Sequence, residues 1–217
     1  MRYNGPVVKP VKLFALRHGE TALARERRFS GLRDVPLNAH GRRQSEALAR
    51  ALAPEPLAAV YASPLARARE SAEIVARPHG LPVTLEPAFR DMAFGAWEGS
   101  SREELAARTP AEAEAWVTTP HLVAPPGGEP LAAVAARLAA GLAALLERHA
   151  GESVALVSHA IVARLIVLAA LGLGPERLWS VDASPGGLSE IEYHDGWVTV
   201  HRMNTLAHLD GRAGGAP

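Results

Sequence analysis

Three places in the chain put chemically capable residues where an apolar run ends. Arg17-His18-Gly19-Glu20-Thr21 closes the first run, Ser158-His159 closes a later one, and Arg67 lies one helical turn beyond Ser63-Pro64 at the end of another. Phosphoryl transfer asks for such a set: a nucleophile in line with the leaving oxygen, cationic donors on the equatorial oxygens, and an acid for the departing alkoxide. A neutral imidazole can attack phosphorus and split one hard step into two through a covalent intermediate. Arginines beside it lower its pKa and so keep it neutral, and their N–H forks match phosphate geometry.

The elements that must position these residues follow from the hydrophobic pattern. Segments 11–16, 58–62 and 153–157 read as buried strands. Segments 188–193 and 197–203 alternate around His194-Asp195-Gly196, a hairpin signature. Helical patterns cover 41–52, 64–76, 102–117, 130–149 and 161–171. Ser63-Pro64 offers an N-cap followed by proline at the first helical position, and Ser101 with Glu104 has capping-box spacing. Strands alternating with helices predict an α/β fold. The expected form is a three-layer α/β/α sandwich with a mostly parallel sheet and an antiparallel edge from the final hairpin. Ligands of open α/β sheets bind outside the carboxyl ends of the strands, which gathers Arg17, His18, Arg67 and His159 at one edge. The length fits one domain over 1–217, with a core of about 11–209 and loose Gly/Pro-rich ends at 1–10 and 211–217.

Composition narrows the classes. The 23 basic and 23 acidic residues cancel, which gives no global reason to expect nucleic acid or a membrane surface. The absence of cysteine excludes disulfides, thiolate metal sites and cysteine nucleophiles together. The first 20 residues carry no apolar signal region, and the longest apolar run, 161–171, is interrupted by Arg164. A cytoplasmic location is therefore expected, without a membrane span. Lys9 and Lys12 are the only lysines, so nearly all positive charge is arginine.

The segment Leu16-Arg17-His18-Gly19-Glu20-Thr21 resembles the leading motif of the histidine phosphatase superfamily, which includes the cofactor-dependent phosphoglycerate mutases. Further blocks resemble the same family in the same order: Phe29-Ser30-Gly31, Asp34 to Asn38, Gly41 to Gln44, Ser63 to Ala68, Phe89 to Gly99, Pro125 to Glu129, Val157 to His159 and Asn204 to Leu209. The resemblance implies that His18 is the nucleophile and becomes phosphohistidine. It implies that Arg17, Arg67 and His159 bind the phosphoryl oxygens, and that Asp91 protonates the leaving group and later activates water. Thr21, Ser30, Gly31 and the amide of Ala160 would line the phosphate end of the pocket. No metal or cofactor is implied.

The chain also departs from the family pattern. Most members have Glu at the position of Asp91. Losing a methylene withdraws the carboxyl by about 1.5 Å, and a misplacement of about 1 Å can cost a hundredfold in rate. Glu98 and Glu20 are the other carboxyls that could contribute. Leu23-Ala24 stand where Trp-Asn is common, and Ala160-Ile161 where Gly-Gly follows the second histidine; an ordinary helix start is expected there. Met92 next to the acid, the short interval to His159, and the closing blocks favour a phosphatase similar to α-ribazole phosphatase. A phosphoglycerate mutase and a non-catalytic phospho-ligand module are the alternatives. The expected partner is a small phosphorylated metabolite, and a homodimer would be ordinary. The cluster Arg25, Arg27, Arg28 and Arg33 reads as a solvated loop, with a second anion site as the competing reading. The remaining histidines read as surface or loop residues, His208 with a structural role, and the tryptophans as anchors with Trp97 nearest the pocket.

Overall fold

In the computed structural model, which describes residues 9–210, buried apolar runs become strands and amphipathic segments become the helices that cover them. In chain order these are β1 (Val11–Arg17), the short α1 (Ala22–Arg25), α2 (Ala39–Leu52), β2 (Leu57–Ala62), α3 (Ala66–Ala76), β3 (Val83–Leu85) and α4 (Arg102–Arg108). They are followed by α5 (Pro110–Thr118), α6 (Leu131–Arg148), β4 (Ser153–Ser158), α7 (Ala160–Ala170), β5 (Leu188–Tyr193) and β6 (Val198–Thr205). The sheet order is β3-β2-β4-β1-β5-β6. The first four strands are mutually parallel, while β5 pairs antiparallel with both β1 and β6. This is the expected mixed sheet, with the final hairpin supplying its antiparallel side. The ends at 1–8 and 211–217 lie outside the described residues.

Alternation in β1 sorts the core into two layers. Leu13 and Ala15 join Val134, Leu138, Leu142 and Ile166 on the face covered by α6 and α7. Phe14 and Leu16 join Leu48, Leu52, Ala68, Ala72 and Val75 on the face covered by α2 and α3. Both faces of the parallel strands are therefore dry, which accounts for their continuous apolar sequences.

Register then decides where the polar residues emerge. Leu16 pairs with Val157, and Ala62 pairs with Val157 from the other side. The three strands end level, and the next residues of each (Arg17-His18, Ser158-His159, Ser63) share one edge.

Several local readings need correction. The helix expected over 102–117 is two helices, broken at Thr109 (φ −137°, ψ 70°), because the residue before Pro110 is pushed out of the helical region. Helix α3 starts at Ala66, with Leu65 at its N-cap, rather than at Pro64. The Ser63 hydroxyl accepts from the Leu65 amide at 3.3 Å and also meets His159 at 2.7 Å, and the carboxylate of Asp34 accepts from the Ala66 amide at 2.6 Å. The capping box at Ser101 forms as read. The short strand β3 carried no clear pattern, since its three residues are half-exposed or exposed. His149 is buried, not superficial, with its ring against the Tyr61 hydroxyl at 2.8 Å and Glu152 at 2.7 Å.

Helix α2 presses on the segment after β1 through paired glycines. A Cβ on Gly41 would lie 2.2 Å from the Glu20 carbonyl oxygen, and one on Gly19 would lie 2.1 Å from the Gly41 carbonyl oxygen. Neither backbone can yield without moving His18. Gly41→Ala is accordingly expected to cost about 1–3 kcal/mol, read from urea denaturation, and to lower activity. An unchanged midpoint would show that the two segments part freely.

Candidate active site

His18 is 4% exposed and its ring is held from both sides. Its Nδ1 lies 2.6 Å from the carbonyl oxygen of Gly19, which fixes the proton on Nδ1 and leaves the lone pair on Nε2. Arg67 Nε donates to that lone pair at 3.2 Å. The His159 ring stands 5.2 Å away, centroid to centroid, at 62°.

Arg67 is fully buried and ties the site together. Beyond Nε, its Nη1 donates to the Arg33 carbonyl at 2.8 Å, and its Nη2 donates to the Gly31 carbonyl at 2.8 Å and to Asp91 at 2.9 Å. Gly31 can offer that carbonyl because its backbone is left-handed (φ +53°) and a Cβ there would collide with the Glu98 carboxylate. Arg17 donates through Nη1 to the Ala183 carbonyl at 2.6 Å, and burial lowers its pKa to about 10.

Asp91 is 7% exposed; one oxygen faces Arg67 and the other accepts from the Met92 amide at 3.0 Å. The His159 Nδ1 is 3.6 Å from the same carboxylate. Burial raises the Asp91 pKa, against the opposing charge of Arg67. Desolvation first, then Arg67, hold both His18 and His159 well below the ordinary imidazole value. The site thus pairs neutral imidazoles with a carboxyl inclined to keep its proton.

A cleft of about 430 Å³ opens over these groups. Arg17, His18, Ser30, Asp91 and Ala160 are in its wall, together with Arg27, Arg102, Arg164, Trp116 and Trp179. Arg67 and His159 stand against His18, buried beneath that wall. Thr21 and Gly31 do not line it: the Thr21 hydroxyl accepts from the Ala24 amide at 3.1 Å and caps α1, and Gly31 faces Arg67. Helix α7 begins at Ala160 after an extended His159 (φ −124°, ψ 169°), an ordinary helix start. Glu98 is spent on the amides of Leu32 and Phe94, and Glu20 accepts from the Asn38 side chain, so neither lies in the cleft wall.

The arginine cluster disperses. Arg28 forms a two-pronged pair with Glu104, the Arg33 carbonyl serves Arg67, and only Arg27 and Arg28 of the four reach the cleft. Trp116 and Trp179, not Trp97, form its aromatic wall, and the guanidinium groups of Arg102 and Arg164 both lie 4.9 Å from the Trp179 ring. His208 bonds the Gly186 carbonyl at 2.9 Å, holding the loop whose Gly186 and Gly187 brace Arg17 and His18.

One residue went unnoticed in the sequence: Arg137 of α6. It grips the carbonyls of Ala88, Arg90 and Asp91 while Glu129 pairs with it at 2.8 Å. Its signal was a charge one residue from Leu138 on a helix whose inner face is otherwise apolar.

The chain is similar to known proteins. The model of the histidine phosphatase superfamily (branch 1) matches residues 13–206. Phosphoserine phosphatase 1 of Hydrogenobacter thermophilus is 32% identical over 92% of this chain and 94% of its own. The adenosylcobalamin/α-ribazole phosphatase of Escherichia coli K12 is 28% identical, covering 91% of this chain and 97% of its own. The solved structure of Bacillus stearothermophilus YhfR superposes with a TM-score of 0.86 at 32% identity, over 92% of this chain and 99% of that one.

The neutral imidazoles have a thermodynamic consequence. Above pH 6.5 both rings are neutral folded or unfolded; below it the unfolded chain takes up protons that the buried site refuses. Stability should therefore fall as pH drops below about 6.5, by up to about 1.4 kcal/mol per pH unit for each histidine. Asp91, whose folded pKa exceeds 3.8, acts in the opposite sense at lower pH. Urea denaturation across this range, repeated on His18→Asn, should show a shallower slope in the variant. An identical slope would mean that His18 is protonated in the folded protein.

Proposed function

The chain belongs to the histidine phosphatase superfamily, branch 1, and we propose that it hydrolyses phosphomonoesters through a phosphohistidine at His18. The observation that carries this reading is the 2.6 Å contact between His18 Nδ1 and the Gly19 carbonyl, which holds the proton on Nδ1 and leaves Nε2, beside Arg67, with its lone pair for attack.

In the first step the Nε2 lone pair attacks phosphorus while the bond to the leaving oxygen breaks. A phosphoryl oxygen replaces Nε2 as acceptor of the Arg67 Nε–H, and Arg17 and His159 share the remaining oxygens. The developing positive charge on the ring is carried at Nδ1–H by the Gly19 carbonyl. The departing alkoxide takes its proton from Asp91, whose raised pKa is raised further when a phosphoryl anion arrives beside it. In the second step Asp91, now a carboxylate, takes a proton from water. The oxygen of that water bonds phosphorus, and the N–P bond returns its pair to Nε2. A small phosphorylated metabolite is the expected substrate, as for the phosphoserine and α-ribazole phosphatases that the chain resembles.

The shortened acid is compatible with this scheme because Asp91 does not float. Arg137 holds its main-chain oxygen at 3.0 Å and Arg67 holds its carboxylate. A carboxyl fixed at both ends can stand in for a longer one whose backbone lies farther away.

Three measurements test the reading. His18→Ala should abolish hydrolysis across a phosphomonoester panel, and wild type quenched during turnover should carry an acid-labile phosphoryl group on the His18 peptide; activity surviving in the variant would overturn the mechanism. Asp91→Asn should slow alkyl esters by about 10²–10⁴-fold and aryl esters far less, since aryl oxides leave without a proton; equal losses would remove Asp91 as the donor. With 3-phosphoglycerate, phosphate release should outpace isomerisation whether or not 2,3-bisphosphoglycerate is added. The reverse would make the protein a mutase.

A further inference from the structure

Beyond the phosphoryl site, between α4 and α5, lies a second cavity of about 330 Å³. Phe29, Arg102 and Trp116 line both spaces, so the two lie side by side. The added wall is Leu105, Ala106, Pro110, Ala113 and Val117, with Glu114 the one acidic residue and little polar surface presented. Trp116 is 1% exposed, and its indole N–H has no hydrogen-bond partner.

We propose that this cavity is the leaving-group subsite, and that the substrate is a phosphomonoester whose alcohol carries an apolar body, alkyl or aromatic. The inference rests on the hydrolase reading above. Two observations favour an apolar occupant over a second anion. Two of the cleft arginines outside the phosphoryl grip already have acceptors: Arg28 on Glu104, and Arg164 on Asp182 and the Leu178 and Val181 carbonyls. Arg102, which joins the two spaces, turns its flat guanidinium onto Trp179, extending an aromatic wall. Phe29, Phe94, Trp97, Trp116 and Trp179 form a connected aromatic cluster behind that wall. Such a surface gains by displacing water with carbon.

The test is the rate of phosphate release from methyl, butyl, hexyl and octyl phosphate. With wild type, kcat/KM should rise about three- to fourfold per methylene while the chain fills the cavity, then level off. Ala113→Phe, which fills the space, and Val117→Asp, which puts a charge at its half-exposed rim, should each collapse the octyl-to-methyl ratio toward one. Val117→Asp is a surface change and serves where Ala113→Phe does not fold. A flat series in wild type that nonetheless turns over methyl phosphate would overturn the subsite and leave the hydrolase reading standing. A ratio unmoved in a folded variant would overturn it equally. If wild type releases phosphate from no ester of any length, the hydrolase reading itself fails and takes the subsite with it.

Discussion

A single buried guanidinium constrains everything around it. Arg67 has no exposed surface, and a charge in that position is tolerable only when its donors are met. Meeting them draws four groups together: the Nε2 of His18, the carboxylate of Asp91, and the carbonyls of Gly31 and Arg33. The first consequence is electrostatic, because burial keeps the imidazole neutral and a cation at 3.2 Å adds to the same effect. The second is conformational, because residues 31–33 must turn their carbonyls inward, which Gly31 does at positive φ. The third is a tether on Asp91, set against the burial that would otherwise raise its pKa further. Removing Arg67 would leave four acceptors without their donor, so the penalty would spread across nucleophile, acid and loop.

Around that centre the scaffold works by level strand ends and close backbone approach. Leu16, Val157 and Ala62 align across three parallel strands, and each strand delivers one polar group just past its last paired residue. The glycine contact between Gly19 and Gly41 fixes the height of His18 above α2, and Asn38 and Asp34 cap α2 and α3 from the intervening loop. The resemblance to a known family ran through this loop, and its physical content is now visible. Those residues satisfy helix ends so that the catalytic edge stays rigid.

Much of this was legible beforehand because period and spacing encode it. Apolar runs of five or six residues ending in Arg-His or Ser-His predict strands with reactive ends, and those strands form. Three kinds of information were not local. Ser63 reads as a helix cap until His159, almost a hundred residues later, competes for its hydroxyl. Arg25, Arg27, Arg28 and Arg33 read as a cluster by sequence proximity, whereas Glu104 and the fold of residues 31–33 send them in different directions. Arg164 stood out only as the break in an apolar run, yet it pairs with Asp182 and stacks on Trp179 in the cleft wall. In each instance a polar atom had two eligible partners, and tertiary packing chose the distant one.

The break at Thr109-Pro110 shows how the same logic extends from chemistry to recognition. A continuous helix over 102–117 would set Leu105 and Val117 about 18 Å apart along its axis and about 120° apart around it, so the two would not face one cavity of about 330 Å³. Proline forces Thr109 out of the helical region, α5 turns back, and Leu105, Ala113 and Val117 come to enclose one space. His18, Arg17 and His159 sit at strand ends, Arg67 in the first turn of α3 and Asp91 in a clasped loop. The apolar space is assembled from two short helices outside the sheet and borders the cleft at Phe29, Arg102 and Trp116. Under the proposed subsite, the leaving group recognised can vary with α4 and α5 while His18 and Arg67 keep their geometry.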